Sequence, residues 1–172
     1  MEWQKFICEI YERIYQVTEK ALDGLSLNEL NEQPHPDCNS MGWLAWHLTR
    51  VQDRAISGLT GEEQIWIKDK WYIKFNRAND PRDFGLRHSS EDLAAFGSPD
   101  VKVLLAYHHS VLEQTKRYIS SLSESDLDKK IDHPVFPTVG AHVLGTISDN
   151  LQHAGQIAYV RGLLKGKGWM EV

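Results

Sequence analysis

The longest uninterrupted helical pattern in this chain runs from Thr138 to about Lys165, and the rest of the fold has to accommodate it. Val139, Val143, Leu144, Ile147, Leu151, Ala154, Ile157, Ala158, Leu163 and Leu164 recur mostly at steps of three and four, the spacing of an amphipathic α-helix. Thr138 is placed as its N-cap, after the extended stretch His133-Pro134-Val135-Phe136-Pro137. Gly140, Gly145, Gly155 and Gly162 each weaken it by up to ~1 kcal/mol relative to alanine, which is tolerable where another backbone packs close. Three further long segments carry the same period. Residues 2–23 present Phe6, Ile10, Ile14, Val17 and Leu22, and Gly24 stops them. A segment starting at Asn39 or Ser40 presents Leu44, Leu48, Val51, Ala55 and Leu59 up to Thr60-Gly61. Ser98 as cap and Pro99 as first residue open a segment that runs to about Leu122.

Between these lie shorter features. Ser26 with Glu29 forms a capping box, and Ser90 to Leu93 and Ser123 to Lys130 read as capped turns. Residues 62–77 are rich in aromatics and read as short helices. Residues 33–38 and 76–90, with Pro34, Pro36, Pro81 and Gly85, are loops; a loop as long as the second is often a lid or a pocket rim. There is no internal repeat and no β-alternation. The expected fold is all-α: a four-helix bundle with long crossover connections, in one domain over residues 1–172.

Composition excludes several functions. The net charge is -5, with acids and bases interleaved, which gives no footprint for nucleic acid or an anionic membrane. Neither a signal peptide nor a membrane span is expected from the sequence. Cys8 and Cys38 match neither a disulfide framework nor a Cys-x-x-Cys site, so a cytoplasmic location is expected.

The chemistry is concentrated in Asp149-Asn150-Leu151-Gln152-His153-Ala154-Gly155-Gln156. Residues four apart share a helix face, so the Asp149 carboxylate and the His153 imidazole can grip one ion. The candidate third ligand is His47, in Trp43-Leu44-Ala45-Trp46-His47-Leu48. Two imidazoles and a carboxylate leave coordination positions open, as in a catalytic rather than a closed structural site. They suit zinc, nickel or iron(II), and offer Lewis-acid polarisation or activation of a bound water or thiol. A lone Asp-x-x-x-His pair is more often a surface pair, and a lone histidine beside a core is more often simply hydrogen-bonded. Against that reading, Asp149 and His153 adjoin an apolar stripe, where a charge rarely stays unpartnered. Trp43, Trp46, Arg50, His142 and Gln156 are candidates for a substrate pocket. Arg50 and Arg54, one and two turns after His47, offer charge for an anionic substrate, although solvated arginines are the ordinary case. Trp66 to Phe75 are further candidate pocket walls.

Asn39-Ser40-Met41-Gly42-Trp43-Leu44-Ala45-Trp46-His47-Leu48 resembles the second-helix motif of DinB-like proteins, and Asp149-x-x-x-His153-Ala154-Gly155-Gln156 resembles their fourth-helix motif. The resemblance implies a four-helix bundle that binds a divalent metal through His47, Asp149 and His153, often as a homodimer. It also implies a metal-dependent transferase or isomerase acting on a small molecule with a low-molecular-weight thiol such as mycothiol or bacillithiol. Trp71 to Gly85 looks similar to relatives near the mycothiol-dependent maleylpyruvate isomerases. Many family members have histidine where this chain has Asp149, and the isomerase branch has glutamate. The shorter aspartate requires closer helices or a bridging water. The isomerases also carry a further C-terminal domain. The alternative is a non-catalytic stress-response protein in which a structural metal ties two helices together.

Overall fold

The computed structural model describes residues 1–166, 168 and 169. It is built from α1 (Trp3–Leu22), α2 (Leu27–Asn31), α3 (Met41–Thr60), α4 (Ile65–Lys68), α5 (Trp71–Lys74), α6 (Ser90–Ala95), α7 (Val101–Ser121), a 3-10 turn (Glu124–Asp128) and α8 (Val139–Lys165). Among the described residues the only β-type pairing is an isolated bridge between Lys130 and Thr138. Among the described residues no helix is long and apolar enough to cross a membrane.

Side chains set the helix ends. Ser40 Oγ accepts from the Trp43 N–H to start α3, and Gly61, at φ 74°, ends it in the left-handed conformation. Thr138 caps α8, and Ser26 and Ser123 make capping boxes. Two caps differ from the sequence reading. Asp100, not Ser98, caps α7, because its carboxylate reaches the Val103 N–H, while Ser98 Oγ donates to Pro99 O. Ser89, not Ser90, caps α6 in a box with Asp92.

The long helices α1, α3, α7 and α8 form the bundle. The α3–α8 pair packs most extensively, α3 also lies on α7, and α1 lies on α7 and α8. The core divides in two. One cluster, rich in tryptophan, surrounds the first half of α3 with Trp46, Trp66, Trp71, Phe75 and Tyr107. The other joins α1, α7 and α8 through Tyr11, Ile14, Leu112, Ile119, Val143 and Ile147. Burying each large apolar side chain contributes about 1.5–3 kcal/mol. At the far end of the bundle Arg161 donates to Ala21 O and Asp23 O, and Lys165 pairs with Glu29, tying α8 to α1 and α2.

The apolar pattern of α8 is only partly core. Leu144, Leu151 and Leu163, together with Tyr159, stand exposed on its outer side. Exposed apolar residues are interspersed with polar ones such as Ser148, Gln152 and Gln156, so the sequence period does not separate an inner face from an outer one. The glycines also divide. A Cβ at Gly140 would meet Leu127 O at 3.1 Å, and one at Gly145 would lie 2.3 Å from the Phe136 ring. A Cβ at Gly155 or Gly162 would meet no other described residue within 4 Å, so close packing does not explain them.

A candidate metal centre between α3 and α8

His47, Asp149 and His153 converge: one ligand atom from each lies within 4.8 Å of the others. The helices run antiparallel across the seam, Leu44 sharing a groove with Gln156 and Tyr159 while Gln52 bonds Asn150, so His47 in α3 meets a pair midway along α8. His153 Nε2 lies 3.6 Å from Asp149 Oδ1. Tetrahedral ligation at ~2.1 Å sets ligand atoms roughly 3.4 Å apart, so a small contraction would seat one ion.

Hydrogen bonds orient both imidazoles. His47 Nδ1 donates to the Phe84 carbonyl, which leaves Nε2 as the free lone pair. His153 Nδ1 donates to Gln156 Oε1 at 2.7 Å, again freeing Nε2. Metal-ligating histidines are usually fixed in this way through the other ring nitrogen. Trp43 lies flat on His47, ring centres 4.7 Å apart and planes 9° apart, and His153 meets His47 edge-on at 4.7 Å. Asp149 Oδ2 is buried without a hydrogen-bond partner among the described residues. A buried carboxylate oxygen left unpaired is costly, and a cation beside it removes that cost. The donor set and this orphan oxygen both fit a divalent ion.

The electrostatics of the two histidines diverge. Burial pushes His47 down, His153 pushes it the same way, and the Phe84 carbonyl and Asp149 only partly oppose them. Burial also acts to lower His153, but its bonds to Asp149 and Gln156 outweigh that and raise it.

The loop after α5 delivers the Phe84 carbonyl and is bound tightly to α3. Arg50 is fully buried, and its guanidinium reaches Asp83 O (2.9 Å), Asp80 O (3.4 Å), Pro81 O (3.2 Å), Gln64 Oε1 (2.9 Å) and the Tyr107 hydroxyl (3.4 Å). Its charge is balanced by Asp53, also buried, which accepts from the N–H groups of Ile65 and Trp66 and from Tyr107. All five Arg50 donors are thus engaged, leaving none for a substrate, and its role is to anchor the loop. Trp43 Nε1 donates to His88 Nδ1 at 3.0 Å, and His88 Nε2 faces Asp83. Gly85, at φ +86°, is where the loop crosses the tryptophans: a Cβ there would lie 2.5 Å from Trp43 and 2.9 Å from Trp46.

The remaining sequence candidates fall in different places. Trp46 is wholly buried between Trp66, His88 and Phe96. Trp66, Trp71 and Phe75 pack on Tyr107 as core, not as an exposed pocket wall. Gln156 serves His153 and also borders a groove of about 640 Å³ with Asp37, Cys38, Leu44, Gln152 and Tyr159. His142 is half-buried farther along α8, stacked on Phe136. Sequence reasoning missed the Phe84 carbonyl, because a backbone oxygen leaves no residue signature. It also missed Asp53 and His88; only Gly85 hinted that the loop passes close to other atoms.

No curated protein matches this chain. A conserved protein of Enterococcus faecalis, known from its crystal structure, is similar along almost the full length: TM-score 0.87 at 27% identity, over 97% of this chain and 99% of that one. The family model of the DinB superfamily matches residues 10–157, which include all three candidate ligands. The chain, whose helical bundle and His47/Asp149/His153 cluster were described above, belongs to the DinB superfamily.

Proposed function

We propose that this protein is a metal-dependent transferase or isomerase that uses a low-molecular-weight thiol against an electrophilic small molecule. The observation that carries the reading is the convergence of two imidazoles and a carboxylate with an orphan oxygen at a partly exposed seam. A bound divalent ion, zinc or nickel first and iron next, would lower the pKa of a coordinating thiol. The chain's own residues have separate tasks. Phe84 and Gln156 hold the imidazoles in the neutral, metal-facing tautomer. Trp43 shields one face of His47 from water. The groove beside Gln156, with Leu44 and Tyr159 on its walls, offers apolar room for a small molecule.

Metal-loaded protein assayed with a panel of thiols and electrophiles should give turnover that chelation removes. Absence of metal-dependent turnover across the panel would favour the rival reading, a non-catalytic stress-response protein with a structural metal. That rival draws on the fact that the ligands link α3 to α8, so an ion would staple the seam. We also propose a homodimer in the cytoplasm. The exposed row Leu144, Leu151, Tyr159 and Leu163 on α8 is an apolar face suited to a second chain. Sedimentation at micromolar concentration should give twice the mass of 19.7 kDa.

A further inference from the structure

Beyond the three ligands the α3–α8 seam carries a second set of groups that the metal centre does not use. Arg54 stands two turns after His47, roughly 10 Å along the helix axis. It is half-buried, and it makes no hydrogen bond or ion pair with any described residue. Its guanidinium lies on the Phe84 ring, 3.9 Å from the ring centre, and Phe84 in turn stacks on His47 at 6.0 Å and 22°. The same ring that adjoins the metal ligand therefore also positions this cation.

Across the seam, His142 stands two turns before Asp149 on the same helical face. Its Nδ1 is buried without a partner. Phe136 lies flat on it, ring centres 4.9 Å and planes 17° apart, and is seated against Gly145. Burial, His133 and Arg54 together push His142 down to about 4, so it is neutral near pH 7 and close enough to Arg54 to feel its charge.

A half-buried guanidinium normally finds acceptors for its donors. Arg50, one turn earlier, does so with five. The acid whose charge acts on Arg54 is Asp80, but an oxygen of that carboxylate is already taken by the Arg82 N–H and guanidinium. Arg54 is thus a positioned cation held in reserve beside the ligand cluster, with a neutral imidazole nearby and the aromatic rings of Phe84 and Phe136 packed on the two groups.

We propose that Arg54, assisted by His142, is an anion subsite for a carboxylate on the substrate or thiol whose other end reaches His47, Asp149 and His153. The proposal deepens the function proposed above and rests on its reading of the triad as the metal and substrate centre. A carboxylate suits the site because its two oxygens match the planar guanidinium fork.

The test titrates cobalt-loaded protein with 6-mercaptohexanoate and with 6-mercaptohexanol, following the thiolate-to-cobalt absorption band. The acid should bind at least tenfold tighter than the alcohol, and added salt should erode that preference. Arg54→Gln should remove the preference while leaving cobalt and alcohol affinity unchanged, and Arg54→Lys should keep part of it. Equal binding of acid and alcohol to the wild type, or a preference that survives in Arg54→Gln, overturns the subsite. If neither thiol perturbs the cobalt spectrum, the thiol reading fails on its own, and adipate followed by calorimetry decides the subsite. Adipate binding that is lost in Arg54→Gln supports it, and binding that is equal or absent in both proteins overturns it.

Discussion

Two polar layers cross the same pair of helices, and adjacent residues of α8 belong to different ones. Asn150 points into the closed layer: its Nδ2 donates to Gln52 Oε1 at 2.7 Å, Gln52 Nε2 donates to Thr115 Oγ1 at 2.7 Å, and Thr115 donates to Val111 O. Only a neutral oxygen, Asn150 Oδ1, is left over. Asp149 belongs to the open layer with His47 and His153, where two imidazole lone pairs and a charged oxygen converge on one another. The closed layer satisfies itself and holds α3, α7 and α8 in register. The open layer leaves a carboxylate oxygen, Asp149 Oδ2, without a donor, the condition under which a cation binds. One residue along α8 thus separates the closed layer from the open one, and the difference lies in how far donors and acceptors balance.

Mutations should separate the layers. The largest effect is expected at the open layer: Asp149→Ala or His47→Ala should weaken metal binding by a hundredfold or more, about 3 kcal/mol, with little change in the metal-free melting temperature. Calorimetric titration with zinc, alongside thermal melts, checks both. Next, saturating metal at about one hundred times its Kd should add roughly 2.7 kcal/mol to wild-type stability and nothing to Asp149→Ala, as measured by denaturant unfolding with and without chelator. Asn150→Ala should reverse the pattern. It strands the buried Gln52 oxygen and should cost about 2 kcal/mol, while the protein still binds one ion. A loss of metal binding there, or a loss of fold in Asp149→Ala, would erase the distinction between the layers. Smaller still, Gln156→Ala removes the acceptor that orients His153 and should weaken metal binding about tenfold.

The pH dependence sharpens the same contrast. His153 has a raised pKa in the fold, so it stays protonated to a higher pH than a free histidine. A proton there competes with the ion, so metal affinity should begin to fall while pH is still above about 6.5, and continue falling below it. In the metal-free protein the sign is opposite. The stabilising His153–Asp149 contact is present below the unfolded value and is lost as pH rises through the folded one. The closed layer has no titrating group, so Asn150→Ala should shift the stability of the protein by the same amount at every pH.

Much of the bundle was legible in the sequence. Ser26, Ser40, Thr138 and Gly61 mark helix ends by chemistry that acts within a few residues, and the structure keeps all four. The Asp149/His153 spacing was legible too, because helical period fixes which residues share a face; His47 lies on another helix, which that period cannot pair with them, and the fold brings it near both. What was not legible depends on contacts far apart in the chain. Arg50 and Arg54 look alike in sequence, yet one is fully engaged by loop carbonyls, Gln64 and Tyr107, and the other has no hydrogen-bond partner among the described residues. The outer side of α8 hid for a different reason: Leu144, Leu151 and Leu163 are as apolar as the residues that face inward. The Phe84 carbonyl, which orients His47, carries no side-chain signal at all.

The central claim is that the open layer holds one divalent ion with coordination positions to spare. X-ray absorption on the zinc-loaded protein tests it most directly. The expected spectrum contains one zinc per chain, nitrogen and oxygen scatterers at about 2.0–2.2 Å, and the outer-shell pattern of two imidazoles. Failure to bind zinc stoichiometrically, or a sulfur scatterer at about 2.3 Å from Cys38 or Cys8, would contradict it.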